Sequence, residues 1–181
     1  ASRAIVADLK ARGIDRAHLV GHSMGGGIAT LIALANPQLV ASLTLLAPGG
    51  FGDEINGRLL ARYAVADREA EVARCLEGMI GFASPVPAAA VSLLAAMRSI
   101  PGQTAMLASI AALIAQGGRQ GAIPRDRIAS LAMPVAVAWG TLDGVLPPHH
   151  ADGLPERFEL VRLAGAGHML IEEAEDDVVA L

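Results

Sequence analysis

Residues 18–35 read HLVGHSMGGGIATLIALA, a short apolar run that breaks at Gly21-His22-Ser23-Met24-Gly25 and resumes as a longer apolar stretch. The first run has the length of a strand. The second has the apolar body of a helix, carried by Ile28, Leu31, Ile32 and Leu34 and ended by Asn36-Pro37. A serine at such a junction is either a turn residue or a nucleophile. The pattern G-x-S-x-G between a strand and a helix points to the nucleophile, because the abrupt turn strains the backbone and lifts the hydroxyl above the sheet edge. Gly21 and Gly25 are the positions where a side chain is expected to collide with neighbouring backbone. The helix that follows presents free N–H groups and a positive dipole end, so the Met24 N–H is the expected oxyanion donor.

A nucleophilic serine needs a base, and the base needs an orienting acid. After the apolar run VAVAW at 135–139 comes Gly140-Thr141-Leu142-Asp143, and after FELVRL at 158–163 comes Ala164-Gly165-Ala166-Gly167-His168. Both polar residues follow strands, as Ser23 does, and the chain order Ser23, Asp143, His168 is the one such an elbow calls for. Asp152, Glu172 and Glu173 are the alternative orienting acids. His22, beside the serine in sequence, points elsewhere and serves packing, or at most lines the substrate site. His18 only begins a strand. His149-His150 follow Pro147-Pro148 as a solvated helix start, with no carboxylate or third histidine spaced to complete a metal site. No metal and no cofactor are expected.

Further along the chain, VASLTLLA at 40–47 is another strand, closed by Pro48-Gly49-Gly50. Helical patterns at 2–12 and from residue 171 to the end flank the four strands. Strands alternating with helices predict an α/β fold, a parallel sheet of about four strands with helices on both faces. Residues 53–127 carry helical patterns and no strand, which reads as a helical cap inserted over the sheet edge where open α/β sheets bind ligands. Its apolar residues Leu93, Leu94, Met97 and Met106 are candidates to line the substrate pocket.

Composition narrows the classes. The 181 residues are 53% hydrophobic and 18% charged, enough for one domain with a real core and too apolar for disorder. A net charge of −4 without a dense Lys/Arg run argues against nucleic acid or an anionic membrane surface as partner. The mean hydropathy of +0.47 reflects many alanines and strands buried on both faces. No apolar run approaches the ~20 residues needed to span a bilayer. The one cysteine, Cys75, sits in a helical pattern and is expected to be buried packing. That usage fits a reducing cytoplasm.

Together, GHSMGG at 21–26, WGTLDGVLP at 139–147 and GAGHM at 165–169 resemble the three catalytic stretches of the α/β-hydrolase superfamily. The resemblance implies a serine-nucleophile enzyme acting on an ester or thioester. The stretch PGGFGDEINGRLLARYAVADRE at 48–69 is similar to the acetyltransferase subunits of bacterial acetoin dehydrogenase complexes. That likeness implies acetyl transfer from dihydrolipoamide to coenzyme A, with lipoyl-bearing or dehydrogenase-complex subunits as partners. Measured against the superfamily, residues 1–181 correspond to the second half of one domain. The early strands and the His-Gly loop carrying a second oxyanion donor are missing, and loss of one such donor commonly costs about 10²–10³ in rate. A hydrolase-like subunit, or an inactive fragment that serves assembly or ligand binding, is the alternative.

Overall fold

A computed structural model describes all 181 residues. Four parallel strands form one sheet in the order β1-β2-β3-β4: β1 Ala17–His22, β2 Val40–Leu46, β3 Val135–Gly140 and β4 Glu159–Leu163. The strands match those expected, with ends shifted by one or two residues. Helices cover both faces. The register sets Gly21 against Leu45, Leu46 against Ala138, and Gly140 against Leu163. All four strands therefore end at one edge of the sheet, and the loops that leave them face one another.

Burial follows position in the sheet. Every residue of β3 is buried, as an apolar strand covered on both faces must be. On the edge strand β1 burial alternates, and Val20 is 69% exposed. The core runs from β2 and β3 through Trp139, fully buried, whose indole N–H donates to the Leu146 carbonyl at 3.1 Å. Helix α1 (Ser2–Ala11) packs on α2 (Met24–Ala35), and α2 covers β1 and β2.

Between β2 and β3 the chain forms five helices and no sheet strand: α3 Gly57–Val65, α4 Glu69–Glu77, α5 Ala88–Arg98, α6 Gln103–Ile114 and α7 Arg125–Ala129. Asn56 caps α3 by accepting from the Leu59 N–H at 3.1 Å, and its amide donates to the Gly144 carbonyl at 2.9 Å. One side chain thus starts a helix and fastens it to the loop after β3. Cys75 on α4 is buried in the core, as expected, and burial pushes its thiol pKa up. The single terminal helix expected from residue 171 is instead two short ones, α8 Leu170–Glu173 and α9 Glu175–Val179. The break is at Ala174, whose extended φ of −146° cannot continue a helix. No helix is long and apolar enough to cross a membrane.

Candidate active site

Ser23 occupies the turn between β1 and α2 with φ 52° and ψ −121°, a conformation that a residue with a side chain rarely adopts. Such strain costs on the order of 1–3 kcal/mol and persists only where the surroundings impose it. Here they do. The Ser23 N–H donates to the Leu46 carbonyl at 2.9 Å, while its carbonyl accepts from Gly49 N–H at 2.8 Å and Gly27 N–H at 3.2 Å. The end of β2 and the first turn of α2 hold the serine from both sides. Met24 opens α2, where backbone N–H groups lack an intrahelical acceptor.

The glycines around it divide differently from expectation. A Cβ on Gly21 would stand 2.6 Å from the Gly25 carbonyl oxygen, one on Gly26 2.8 Å from Pro48 Cβ, and one on Gly27 2.8 Å from the Gly49 oxygen. Around Gly25 itself there is open space. The close approaches are therefore made by Gly21, Gly26 and Gly27, because α2 lies against both β1 and the Pro48-Gly49 turn.

Asp143 and His168 meet in the loops after β3 and β4. His168 Nδ1 is 2.8 Å from Asp143 Oδ2, and both residues are buried, at 4% and 7% exposure. The other carboxylate oxygen of Asp143 accepts from the Val145 and Leu146 N–H groups, each at 2.8 Å. Its orientation is thereby fixed by three hydrogen bonds. The alternative acids stand elsewhere: Asp152 pairs with Arg162 at 2.6 Å, and Glu173 bonds backbone rather than the imidazole.

Glu173, an alternative orienting acid by sequence, instead braces the backbone of the His168 loop. One carboxylate oxygen accepts from Gly81 N–H at 2.7 Å and Gly167 N–H at 2.8 Å, and the other accepts from Met169 N–H at 3.0 Å. It bonds the N–H groups on either side of His168 and ties them to the residues after α4. Nearby, the His168 N–H donates to the Met79 carbonyl at 2.6 Å. A Cβ on Gly167 would lie 2.4 Å from that same carbonyl oxygen, which accounts for the glycine.

His22 points away from the serine. Its Nε2 is 2.7 Å from the His168 carbonyl, to which it donates, and the two rings lie 4.8 Å apart. Burial, and secondarily the neighbouring His168 ring, lowers its pKa below the ordinary 6.5. His22 therefore joins the loop carrying His168 to the elbow carrying Ser23, and it does not line the cavity beside the serine.

That cavity, of about 320 Å³, opens directly onto Ser23 and Met24. Its apolar walls come from Ile28 and Leu31 of α2, Leu60 of α3, and Leu113 and Ile114 of α6. The four helical residues expected to line the site do not reach it. Leu93, Met97 and Met106 are exposed at 63%, 40% and 61%, and Leu94 packs on the core. For the three on α5 the reason is geometric: α3 and α6 pack on each other beside the elbow, whereas α5 packs mainly on α4; Met106 lies on α6 but is exposed to solvent.

Glu54, His149 and His150 place ligand-type atoms within 4.8 Å of one another. The carboxylate that sequence spacing could not supply comes from the loop after β2. Glu54 and His149 are exposed, and Arg125 donates to the His150 carbonyl at 2.8 Å. A cation there would sit beside an existing positive charge.

The chain resembles the dihydrolipoyllysine-residue acetyltransferase components of acetoin cleaving systems from Cupriavidus necator and Pseudomonas putida. Identity is 35% over 169 residues with the first and 36% over 180 with the second. These alignments cover 93% and 98% of this chain but 45% and 47% of those proteins, so it spans about half their length. Among solved structures, a meta-cleavage product hydrolase from Pseudomonas fluorescens superposes with a TM-score of 0.81 at 23% identity, over 96% of this chain and 65% of that one. That likeness extends the fold assignment and no further. A family model described as the alpha/beta hydrolase family matches residues 1–181 throughout, and the chain belongs to that family.

Proposed function

We propose that the chain carries the acyl-transfer site of a serine-nucleophile enzyme acting on an ester or thioester, with Ser23 as nucleophile, His168 as base and Asp143 as its orienting acid. The observation that carries this reading is the buried Asp143–His168 pair, at the same sheet edge as a serine in a strained turn. Asp143 holds the Nδ1–H tautomer, which leaves Nε2 free to take the serine proton. Ser23 Oγ then attacks the carbonyl, and the Met24 N–H helps hold the oxyanion. Protonation of the leaving group by His168 releases it and leaves an acyl-serine. Water or a thiol, deprotonated by the same imidazole, takes the acyl group and regenerates the enzyme.

In this reading residues 1–181 belong to one hydrolase domain, as its second half, with 53–127 as the cap over its site. The names of the two bacterial relatives support acyl transfer within an acetoin cleaving system, with lipoyl-bearing or dehydrogenase-complex subunits as partners; a single unpaired cysteine fits a cytoplasmic setting. The test is covalent labelling by a fluorophosphonate, read by intact mass. The chain should gain one adduct, and Ser23→Ala none. A folded chain that stays unlabelled would favour the rival reading, a hydrolase-like subunit serving assembly without catalysis.

A further inference from the structure

The cavity at Ser23 is much larger than an acetyl group, and its lining is apolar. At about 320 Å³ it holds roughly ten water-sized volumes of ~30 Å³ each. An acetyl group fills about two of them. Apart from Ser23, the one polar side chain on its wall is Gln120. Both ends of that amide are already engaged: Oε1 accepts from Gly50 N–H at 3.1 Å, and Nε2 donates to the Glu54 carbonyl at 3.3 Å. No charged side chain lines the cavity. Beyond the serine it therefore offers a bound group only the one N–H and one lone pair that this amide has left, and rewards mainly apolar surface.

Resting on the acyl-transfer reading above, we propose that this cavity binds an apolar chain of about six to eight carbons, attached at the carbonyl that Ser23 attacks. Ile28 and Leu31 form one side of the chain's path and Leu60 and Ile114 the other. Leu113, 73% exposed, stands at the mouth. A charged or short acyl group leaves these walls in contact with water, so they discriminate in favour of length. The chain enters from one of two sources, the acyl group or the leaving thiol, which place the same apolar chemistry on opposite sides of the carbonyl.

Three thioesters separate the cases: S-octanoyl-N-acetylcysteamine, S-acetyl-N-acetylcysteamine and S-octyl thioacetate. For the wild-type chain kcat/KM should be on the order of 10²-fold higher for an octyl-bearing thioester than for the short one. If octanoyl leads, the acyl group is the occupant; if S-octyl thioacetate leads, the thiol is. Equal values for all three, or a preference for the short thioester, overturn the proposal. Ile28→Trp, which fills the cavity, and Leu113→Asp, which puts a charge at its mouth, should each pull the ratio toward one. Titration of the same compounds into Ser23→Ala reads binding without chemistry. Tighter binding of an octyl compound there keeps the cavity assignment even where the wild type turns nothing over, a result that sinks only the acyl-transfer reading. Equal binding of long and short compounds by Ser23→Ala sinks the cavity assignment, whatever the catalysis.

Discussion

The acid–base half of the site and the nucleophile half are built in opposite ways. Around Asp143 and His168 the protein is closed. The carboxylate has three hydrogen bonds, the loop flanking the imidazole is tied by Glu173, and the backbone after α4 lies against both. Around Ser23 it is open. The serine follows an edge strand with Val20 outward, Met24 is 47% exposed, and the cavity beside it meets solvent past Leu113. A base must keep one tautomer and one orientation through the cycle, so it is held by redundant contacts. The nucleophile must be reached by substrate, so backbone hydrogen bonds from β2 and α2 fix it instead of side-chain packing. The closed half draws its contacts from His22, 79–81 and 135–173, while the open half is held by the end of β2 and the first turn of α2.

The largest effect should come from breaking the closed half at its acid. Asp143→Asn keeps the shape, but its amide cannot accept from Nδ1–H and from two backbone N–H groups together. With the imidazole in the wrong tautomer, acyl transfer should fall by about 10⁴-fold. The measurement is kcat/KM on a thioester beside intact circular dichroism. A loss under tenfold would mean another acid orients His168.

Next comes Glu173, which separates positioning from chemistry. Glu173→Gln sets an amide donor among three backbone N–H donors, so at least one hydrogen bond to the loop is lost. A shift of that loop by a fraction of an ångström should lower kcat by about 10–10² with KM little changed. A role in stability alone would lower the melting temperature and leave kcat in place.

Much of this site was readable because its elements are local. The α2 bounds, Met24–Ala35, were those expected, and each candidate triad residue follows a strand that apolar runs alone reveal. What was not readable depends on distant pairs. The bond from Glu173 to Gly81 and the approach of Gly167 to the Met79 carbonyl join residues that no local pattern links. The cavity wall was misread for a related reason. Helices α5 and α6 are apolar on most sides, so periodicity gives no preferred face, and only their packing partners decide which one meets the serine.

A smaller effect sharpens the open half. Gly21→Ala drives a methyl into the Gly25 carbonyl across the elbow and should cost about 1–3 kcal/mol of stability, with Ser23 displaced and phosphonate labelling slowed. Gly25→Ala meets open space and replaces a helix glycine, so it should be neutral or stabilising by up to ~1 kcal/mol. Urea denaturation of both variants compares them directly. Equal destabilisation by the two would contradict the packing of α2 on β1 described above.

The smallest effect tests whether the halves communicate, through the one side chain that spans them. His22 follows the edge strand's apolar run yet donates to the carbonyl of His168, with the His168 ring and the Asp143 carboxylate as the charged or titratable groups acting on it. Its pKa is lowered in the folded state, chiefly by burial, so the unfolded chain binds the proton more readily. Stability from this group is complete above pH 6.5 and declines as pH falls from 6.5 toward the folded value. His150, also lowered by burial, adds a slope of the same sign. His22→Gln keeps an N–H for the His168 carbonyl and removes the titration. Urea midpoints between pH 7.5 and 5.5 should therefore fall less steeply in the variant, with the remaining slope due to His150. An unchanged slope would mean that protonating His22 disturbs nothing, and that the elbow and the His168 loop are held together by the sheet alone.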